Sequence, residues 1–253
     1  PLVPPDTIDP VVVLDFSGQV LTYHPPVIVA SVSIFLNSLN VTMEVPSKDL
    51  EIHYTLDGSL PTQDSHRYTG PVQLAQSTMV KARSFYKGHP VSEVVEREFR
   101  KVEPRPSVSE KDLGQGLRYK YYEGEWDRLP EFEKLQPAAS GISSELDLKM
   151  RRRDEKFALR FTGYLTVPED NVYMFSLTSD DGSKFYIGDQ LVIDNDGLHG
   201  SLEKQGYVAL AKGAHPITIT YFNKLGGKEL DLRMGAVSER FHSLTQQEIM
   251  YKP

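Results

Sequence analysis

The sequence predicts an all-β protein built from two sandwich domains. Apolar residues recur with a period of two in many short segments, Gly, Pro, Asn and Asp clusters separate those segments, and helical periodicity is scarce. Val41, Met43 and Val45 alternate with polar neighbours, as do Ile52, Tyr54 and Leu56. The later runs are Phe157, Leu159, Phe161; Tyr173, Phe175, Leu177; Ile217, Ile219, Tyr221; and Leu230, Leu232, Met234. A period of two places one face of each strand on a core and the other in water. The single helical candidate is Ser243 to Tyr251, where Ser243 stands ahead of Gln246 in the manner of a capping residue. Helices do not alternate with strands, which argues against a βαβ enzyme fold.

Composition narrows the class. With 253 residues the chain has room for two domains, each able to bury a core. Hydrophobic residues at 39% and charged residues at 25% are the proportions of a folded, water-facing protein. No apolar run approaches the roughly 20 residues of a membrane helix. The chain has no cysteine, so disulfides, thiolate metal sites and cysteine nucleophiles are excluded. A net charge of -7 without a basic stripe argues against nucleic acid as a partner. The cluster Arg151, Arg152, Arg153 runs straight into Asp154 and Glu155 and reads as a solvated face. The chain opens at Pro1 without an initiator Met, as a fragment or processed product would.

Residues 1–26 read as a proline-rich lead-in with one strand-like stretch, Val11 to Phe16, either leading from a preceding domain or packed along the first sandwich. Residues 27–103 form that sandwich. Pro104 and Pro106 disfavour helix and mark a linker over 104–115. Residues 116–253 form the second sandwich.

In the first domain, Glu51 to Thr62 reads as a strand, a tight Asp57-Gly58 turn and a proline-containing loop; Gly58 supplies the positive φ of such turns. A further strand runs from Val80 to Phe85. The series Tyr54 to Thr62, Tyr68, Gly70-Pro71 and Val80 to Phe85 resembles the immunoglobulin-like domain at the C-terminus of chitobiases and β-hexosaminidases. The resemblance implies a structural role beside a catalytic domain. Asp57, Ser59 and Thr62 are expected to tie their own loop through side-chain to backbone hydrogen bonds.

The second domain carries the series Tyr121-Tyr122-Glu123-Gly124, Trp126, Phe161-Thr162-Gly163-Tyr164-Leu165 with Val167-Pro168, and Ser179-Asp180-Asp181-Gly182-Ser183, ending at Gly213 to Ile217 and Tyr221-Phe222. This series resembles the PA14 domain along its whole length. The resemblance implies a β-sandwich without catalytic activity of its own. In lectin-like members two adjacent aspartates, joined by a cis peptide, chelate calcium, and the calcium contacts sugar hydroxyls. The matching residues are Asp180 and Asp181. Those members also use a later loop that supplies an Asn or backbone carbonyls, and Asn223, in Tyr221 to Gly227, is the candidate for it. Calcium wants six to eight hard oxygen ligands, so sugar hydroxyls can finish such a shell. Trp126 is the candidate ring for stacking on a sugar, or a residue of the core.

Other constellations are weaker. Asp194-Asn195-Asp196-Gly197 begins like a calcium loop, but Leu198 and His199 break the pattern, leaving a polar hairpin beside Asp180. The seven histidines include no zinc-protease pair, and there is no nucleophile elbow or phosphate loop. His215, ahead of Pro216, reads as structural. The expectation is a non-catalytic, carbohydrate-binding accessory region of a secreted bacterial glycoside hydrolase of the β-N-acetylhexosaminidase type. Its partners would be a glycan and an upstream catalytic domain in the same chain, with no nucleic acid and no transmembrane segment. Its place would be extracellular, at the cell surface or periplasmic. The alternative is a pair of structural spacer domains that bind no ligand.

Overall fold

The computed structural model describes residues 23–237 and 239–253. The strand expected over Val11 to Phe16 lies outside them. The described residues contain strands, turns and one 3-10 turn (Phe132–Lys134), with no α-helix. They fall into two compact units. One holds residues 41–72 and 79–97 with the described residues up to Val29; the other holds 98–253 with 30–40 and 73–78.

The N-terminal strands are β1 (Val27–Val29), β2 (Ile34–Phe35), β3 (Leu39–Glu44), β4 (Glu51–Thr55), β5 (His66–Arg67), β6 (Val72–Leu74), β7 (Thr78–Tyr86), β8 (His89–Pro90) and β9 (Val95–Lys101). In the first unit β4 lies between β5 and β7, and β1 pairs with β3, all antiparallel. Val41, Met43, Ile52, Val80, Ala82 and Phe85 are buried. The face expected on Ile52, Tyr54 and Leu56 is corrected: Tyr54 is half-buried and Leu56 exposed, while His53 and Thr55 are buried. The His53 ring packs on Phe85 at 4.7 Å and its Nδ1 meets the Ser65 carbonyl at 3.1 Å. The Thr55 hydroxyl donates to the Ser59 carbonyl at 2.6 Å. Local bonds thus let polar side chains take the inward positions. The end of the lead-in packs on β7: Ser84 Oγ donates to the His24 carbonyl, and Tyr23 stacks on Tyr86.

The Asp57-Gly58 turn forms as expected. Gly58 has φ +82°. Asp57 Oδ1 accepts from the Ser59 backbone N–H at 3.0 Å and from its hydroxyl at 2.6 Å. Thr62 Oγ1 accepts from the Asp64 N–H at 3.3 Å.

The second unit continues with β10 (Gly114–Gln115), β11 (Leu117–Glu123), β12 (Ala139–Ser143), β13 (Phe157–Val167), β14 (Asn171–Asp180), β15 (Ser183–Ile187), β16 (Gln190–Asn195), β17 (Leu202–Leu210), β18 (Gly213–Asn223), β19 (Glu229–Ala236), β20 (His242–Ser243) and β21 (Ile249–Tyr251). The large sheet runs β10-β21-β13-β18-β15-β16, with β11 joining β13 to β12; the small sheet runs β17-β14-β19-β20. The inner rows of both sheets form one core, including Phe157, Leu159, Phe161, Phe175, Leu177, Phe185, Ile219 and Leu232. Every apolar run expected in this domain is therefore inward-facing.

The helix expected over Ser243 to Tyr251 is replaced by strand β20, one turn and strand β21. Ile249 is fully buried opposite Leu165 of β13, which draws the segment into the sheet. Thr245, not Ser243, caps the turn: its N–H and hydroxyl both donate to the Glu248 carboxylate at 2.8 Å.

Residues of the expected linker are bonded to this unit. The Arg105 N–H donates to the Ala209 carbonyl at 2.8 Å, and the Ala211 N–H donates back to Arg105 at 3.0 Å. Val108 N–H donates to Ala214 at 2.8 Å. The Arg105 guanidinium reaches Asp189 at 2.6 Å.

Candidate functional site

The inner rows of the large sheet change character at one end. Phe157 stands opposite Asn223, and Ser183 opposite both Tyr221 and Asn195. Apolar side chains thus give way to Ser183, Asn195 and Asn223, each no more than 1% exposed. The strands reach past the hydrophobic core, so these positions are inward but polar, and they must find partners. Ser183 and Ser179 share a hydrogen bond of 2.7 Å, and the Asn195 amide donates to Ser179 Oγ at 3.1 Å and to the Leu202 carbonyl at 2.9 Å.

Asp180 ends β14, and the Asp180-Asp181 peptide is cis, as the resemblance implies for the chelating members. The two carboxylates have different surroundings. Asp181 is buried; its Oδ2 accepts the Lys224 N–H at 2.9 Å and its Oδ1 accepts the His199 N–H at 3.3 Å. Asp181 therefore ties together the loops after β16 and β18. Asp180 makes no side-chain hydrogen bond or ion pair among the described residues, and its Oδ2 lies so near Gly227 that a Cβ there would collide with it. Burial, and then the neighbouring Asp181, hold its carboxyl above the ordinary carboxylate range.

Asn223 meets Asp180 at the same glycine. Its amide N–H donates to the Gly227 carbonyl, and its Oδ1 is buried without a partner. A buried, unpaired amide oxygen is costly and calls for a donor or a cation. The loop carrying it is fixed from outside. Lys156 N–H donates to the Lys224 carbonyl at 3.1 Å, and Glu155 accepts the Gly226 N–H at 3.1 Å. Lys224 Nζ pairs with Asp127 at 2.7 Å and Glu125 at 3.6 Å.

Trp126 lies between those two acids. Its half-buried ring rests over Gly124 and against Tyr122, Ala158 and Phe222. Phe222 in turn packs on Gly182, where an added Cβ would meet its ring at 2.5 Å. Packing thus links Trp126 to the aspartate turn.

The Asp194 to His199 segment is a polar hairpin. Lys184 Nζ bridges Asp194 at 3.4 Å and Asp196 at 3.3 Å, and Asp196 accepts the Leu129 N–H at 2.8 Å. His199 turns both ring nitrogens to carbonyls, Gly200 at 2.8 Å and Asn195 at 2.9 Å. His215 is a core residue: Nε2 donates to the Ala211 carbonyl at 2.7 Å, and burial lowers its pKa.

The donor set suits a hard cation. It offers one unpaired carboxylate, one carboxylate whose two oxygens each accept a single N–H, and one orphaned amide oxygen, all aspartate or amide oxygens of the kind calcium takes. The clamps on Asp181 from His199 and Lys224 were not foreseeable, because backbone donors leave no mark on residue type.

Residues 115–248, over half of the chain, match the family model of the PA14 domain, and residues 33–96 match that of the chitobiase/beta-hexosaminidase C-terminal domain. A beta-hexosaminidase of Porphyromonas gingivalis is 30% identical over 193 residues, covering 72% of this chain and 24% of that protein. The chain therefore spans about a quarter of that relative's length. Among solved structures, a PA14 sugar-binding domain from an RTX adhesin is similar with a TM-score of 0.47 and 16% identity, over 55% of this chain and 99% of the other. The Epithelial Adhesin 9 A domain of Candida glabrata, solved with Galb1-3GlcNAc, gives a TM-score of 0.47 and 14% identity, over 59% of this chain and 96% of the other. Through residues 115–248 the chain belongs to the PA14 domain family.

Proposed function

We propose that this chain is a non-catalytic accessory region of a secreted glycoside hydrolase and binds glycan at the Asp180-Asp181 end of its second sandwich. The observation that carries the reading is the meeting at Gly227 of the Asp180 carboxylate, which has no hydrogen bond or ion pair among the described residues, and the Asn223 amide, whose Nδ2 donates to the Gly227 carbonyl while its Oδ1 is buried without a partner. Asp180, Asp181 and Asn223 would hold calcium, whose open coordination positions bind vicinal sugar hydroxyls. The exposed part of the Trp126 indole offers an aromatic surface to a sugar ring. Family membership and the beta-hexosaminidase relative support a hexosaminidase-type parent with a catalytic domain upstream in the same chain, placed outside the cell, at its surface or in the periplasm. No helix among the described residues is long and apolar enough to cross a membrane.

A thermal melt of the chain in EDTA and then in calcium, followed by a glycan array in calcium, tests this reading. A calcium-dependent rise in melting temperature that Asp180→Asn abolishes, together with glycan binding, supports it. Absence of both overturns it.

One observation favours a structural brace instead. Both oxygens of Asp181 already accept backbone N–H groups, so the turn holds its loops without any ion. On that reading neither calcium nor glycan changes the melt.

A further inference from the structure

The outer face of the large sheet carries two polar rows in register. Across β12, β11, β13 and β18, the directly opposed residues Ser140, Lys120, Arg160 and Thr220 form one row. Ile142, Arg118, Thr162 and Thr218 form the next. Directly opposed residues on paired strands share a face. Further along the same strands, that face holds Tyr122, Ala158 and Phe222, roofed by Trp126, Leu129, Phe132 and Leu135. The roof stops at Phe132. Beyond it the face opens into a cavity of about 590 Å³ over Arg118, Lys120, Arg160 and Ser140. A second cavity of about 400 Å³ continues from Arg160 over Thr218, Thr220 and Tyr186.

The fold gives Arg160 an ion-pair partner and seats Arg118 5.4 Å from the centroid of the Tyr251 ring, but it gives Lys120 no ion-pair partner among the described residues. Lys120 stands directly opposite Arg160, an arrangement in which like charges repel. Glu133 reaches over the face and pairs with Arg160. Arg118 donates Nε and Nη2 to the Lys252 carbonyl at 2.9 and 2.6 Å, which orders the group and leaves its charge. Among the described residues no carboxylate lies within ion-pair distance of Arg118 or Lys120. Over the first cavity, Arg118, Lys120 and Arg160 thus face Glu133 alone in a chain whose net charge is -7. Further along the face, Asp189 at the rim of the second cavity is paired with Arg105, and Lys184, opposite Thr220, is paired with Asp194 and Asp196.

We propose that this face is a second ligand site, separate from the aspartate turn, for a saccharide bearing carboxylate or sulfate groups. Arg118, Lys120 and Arg160 receive the anionic groups, because guanidinium and ammonium donors make strong charge-assisted bonds to such oxygens. Thr162, Thr218 and Thr220 line the floor with hydroxyls that match those of a sugar chain. Tyr186 adds an aromatic surface at the far end. Two adjoining cavities fit an extended chain rather than a single ion.

The test is calorimetric titration of the whole chain, in EDTA, with a chondroitin sulfate hexasaccharide. Chitohexaose and inorganic sulfate serve as the neutral and free-anion probes. Binding of the sulfated hexasaccharide should weaken as salt rises, since the attraction is screened. Lys120→Glu should weaken it by about tenfold, as reversal of a charge facing an anion does. Glu133→Gln should tighten it by about threefold by freeing Arg160 from a surface pair. Failure to bind, equal binding of chitohexaose, equal competition by inorganic sulfate at the same concentration, or indifference to both substitutions overturns the proposal. Because EDTA removes any calcium, failure of the Asp180-Asp181 reading leaves this result unchanged.

Discussion

Asp181 accepts the backbone N–H of Lys224 at 2.9 Å, so a buried carboxylate fixes the residue next to Asn223. A second N–H, from His199, occupies its other oxygen at 3.3 Å. The carboxylate is thus the shared fastening of two loops. Asp181→Asn turns one acceptor oxygen into an amide that faces an N–H. Leaving a buried donor unsatisfied costs about 1–3 kcal/mol. The melting temperature should fall by several degrees, at about 2–4 °C per kcal/mol for a protein of this size. A circular-dichroism melt without calcium measures it, and an unchanged midpoint would remove Asp181 from its fastening role.

Asp180→Asn should behave in the opposite way. Asp180 has no hydrogen bond to lose, and burial penalises its charge. Without calcium the variant should melt at or slightly above the parent temperature. With calcium it should lose the parent's shift, which for an ion at a hundredfold excess over its Kd is worth about 2.7 kcal/mol. The same melts in calcium and in EDTA compare the two substitutions directly.

The raised pKa of Asp180 sets a pH dependence. Its folded value lies above the ordinary 3.8, so between the two the folded state binds more protons than the unfolded chain. In the absence of calcium its contribution therefore falls as pH rises from 3.8 through the folded value. Calcium needs the ionised form, so its stabilising shift should grow over that same interval. Urea midpoints taken with and without calcium should diverge as pH climbs; parallel profiles would count against Asp180 as a ligand.

His215 works in the other direction. Burial lowers its folded pKa below the ordinary 6.5, so the unfolded chain takes the proton first as pH falls. Stability present above 6.5 should decline below it, towards the folded value. His215→Gln should flatten that part of the profile, read as melting temperature against pH between neutrality and mild acid.

Gly163 is a test of packing. A Cβ there would run into the Met250 carbonyl oxygen of β21, and would meet Leu117 Cδ2 at 2.7 Å. Backbone cannot move aside cheaply, so Gly163→Ala should cost about 1–3 kcal/mol, as overpacking does. A lowered urea midpoint, with hydrogen exchange quickened at Ile249, is the expected outcome.

Much of the second sandwich was legible because its strands alternate strictly. Phe157, Leu159 and Phe161 announce an inward face, and the core takes all three. Asp180 and Asp181 were legible as a motif. The first unit was less so at His53 and Thr55, where local bonds to Ser65 and Ser59 reverse the face that apolarity suggests. Ser243 to Tyr251 misled because a short polar stretch looks helical until Ile249 is seen against Leu165. The outer face of the large sheet was hidden for a different reason. Lys120 and Arg160 are 40 positions apart in sequence, and only strand pairing sets one against the other.

The segment Pro104 to Val108 reads by composition as a tether, yet its backbone is stitched to Ala209, Ala211 and Ala214. Proteases cut where an exposed strand can peel away and lie extended in their clefts. Here the amides of Arg105 and Val108 are already engaged, and two prolines break the run of free donors that a cleft would grip. Arg105 stands before Pro106, a bond trypsin does not cut in any state of the chain, so the probe is a protease of broad specificity. Subtilisin should leave residues 104–108 whole in the folded chain, and a preparation nicked there would have come apart at this seam before the enzyme reached it.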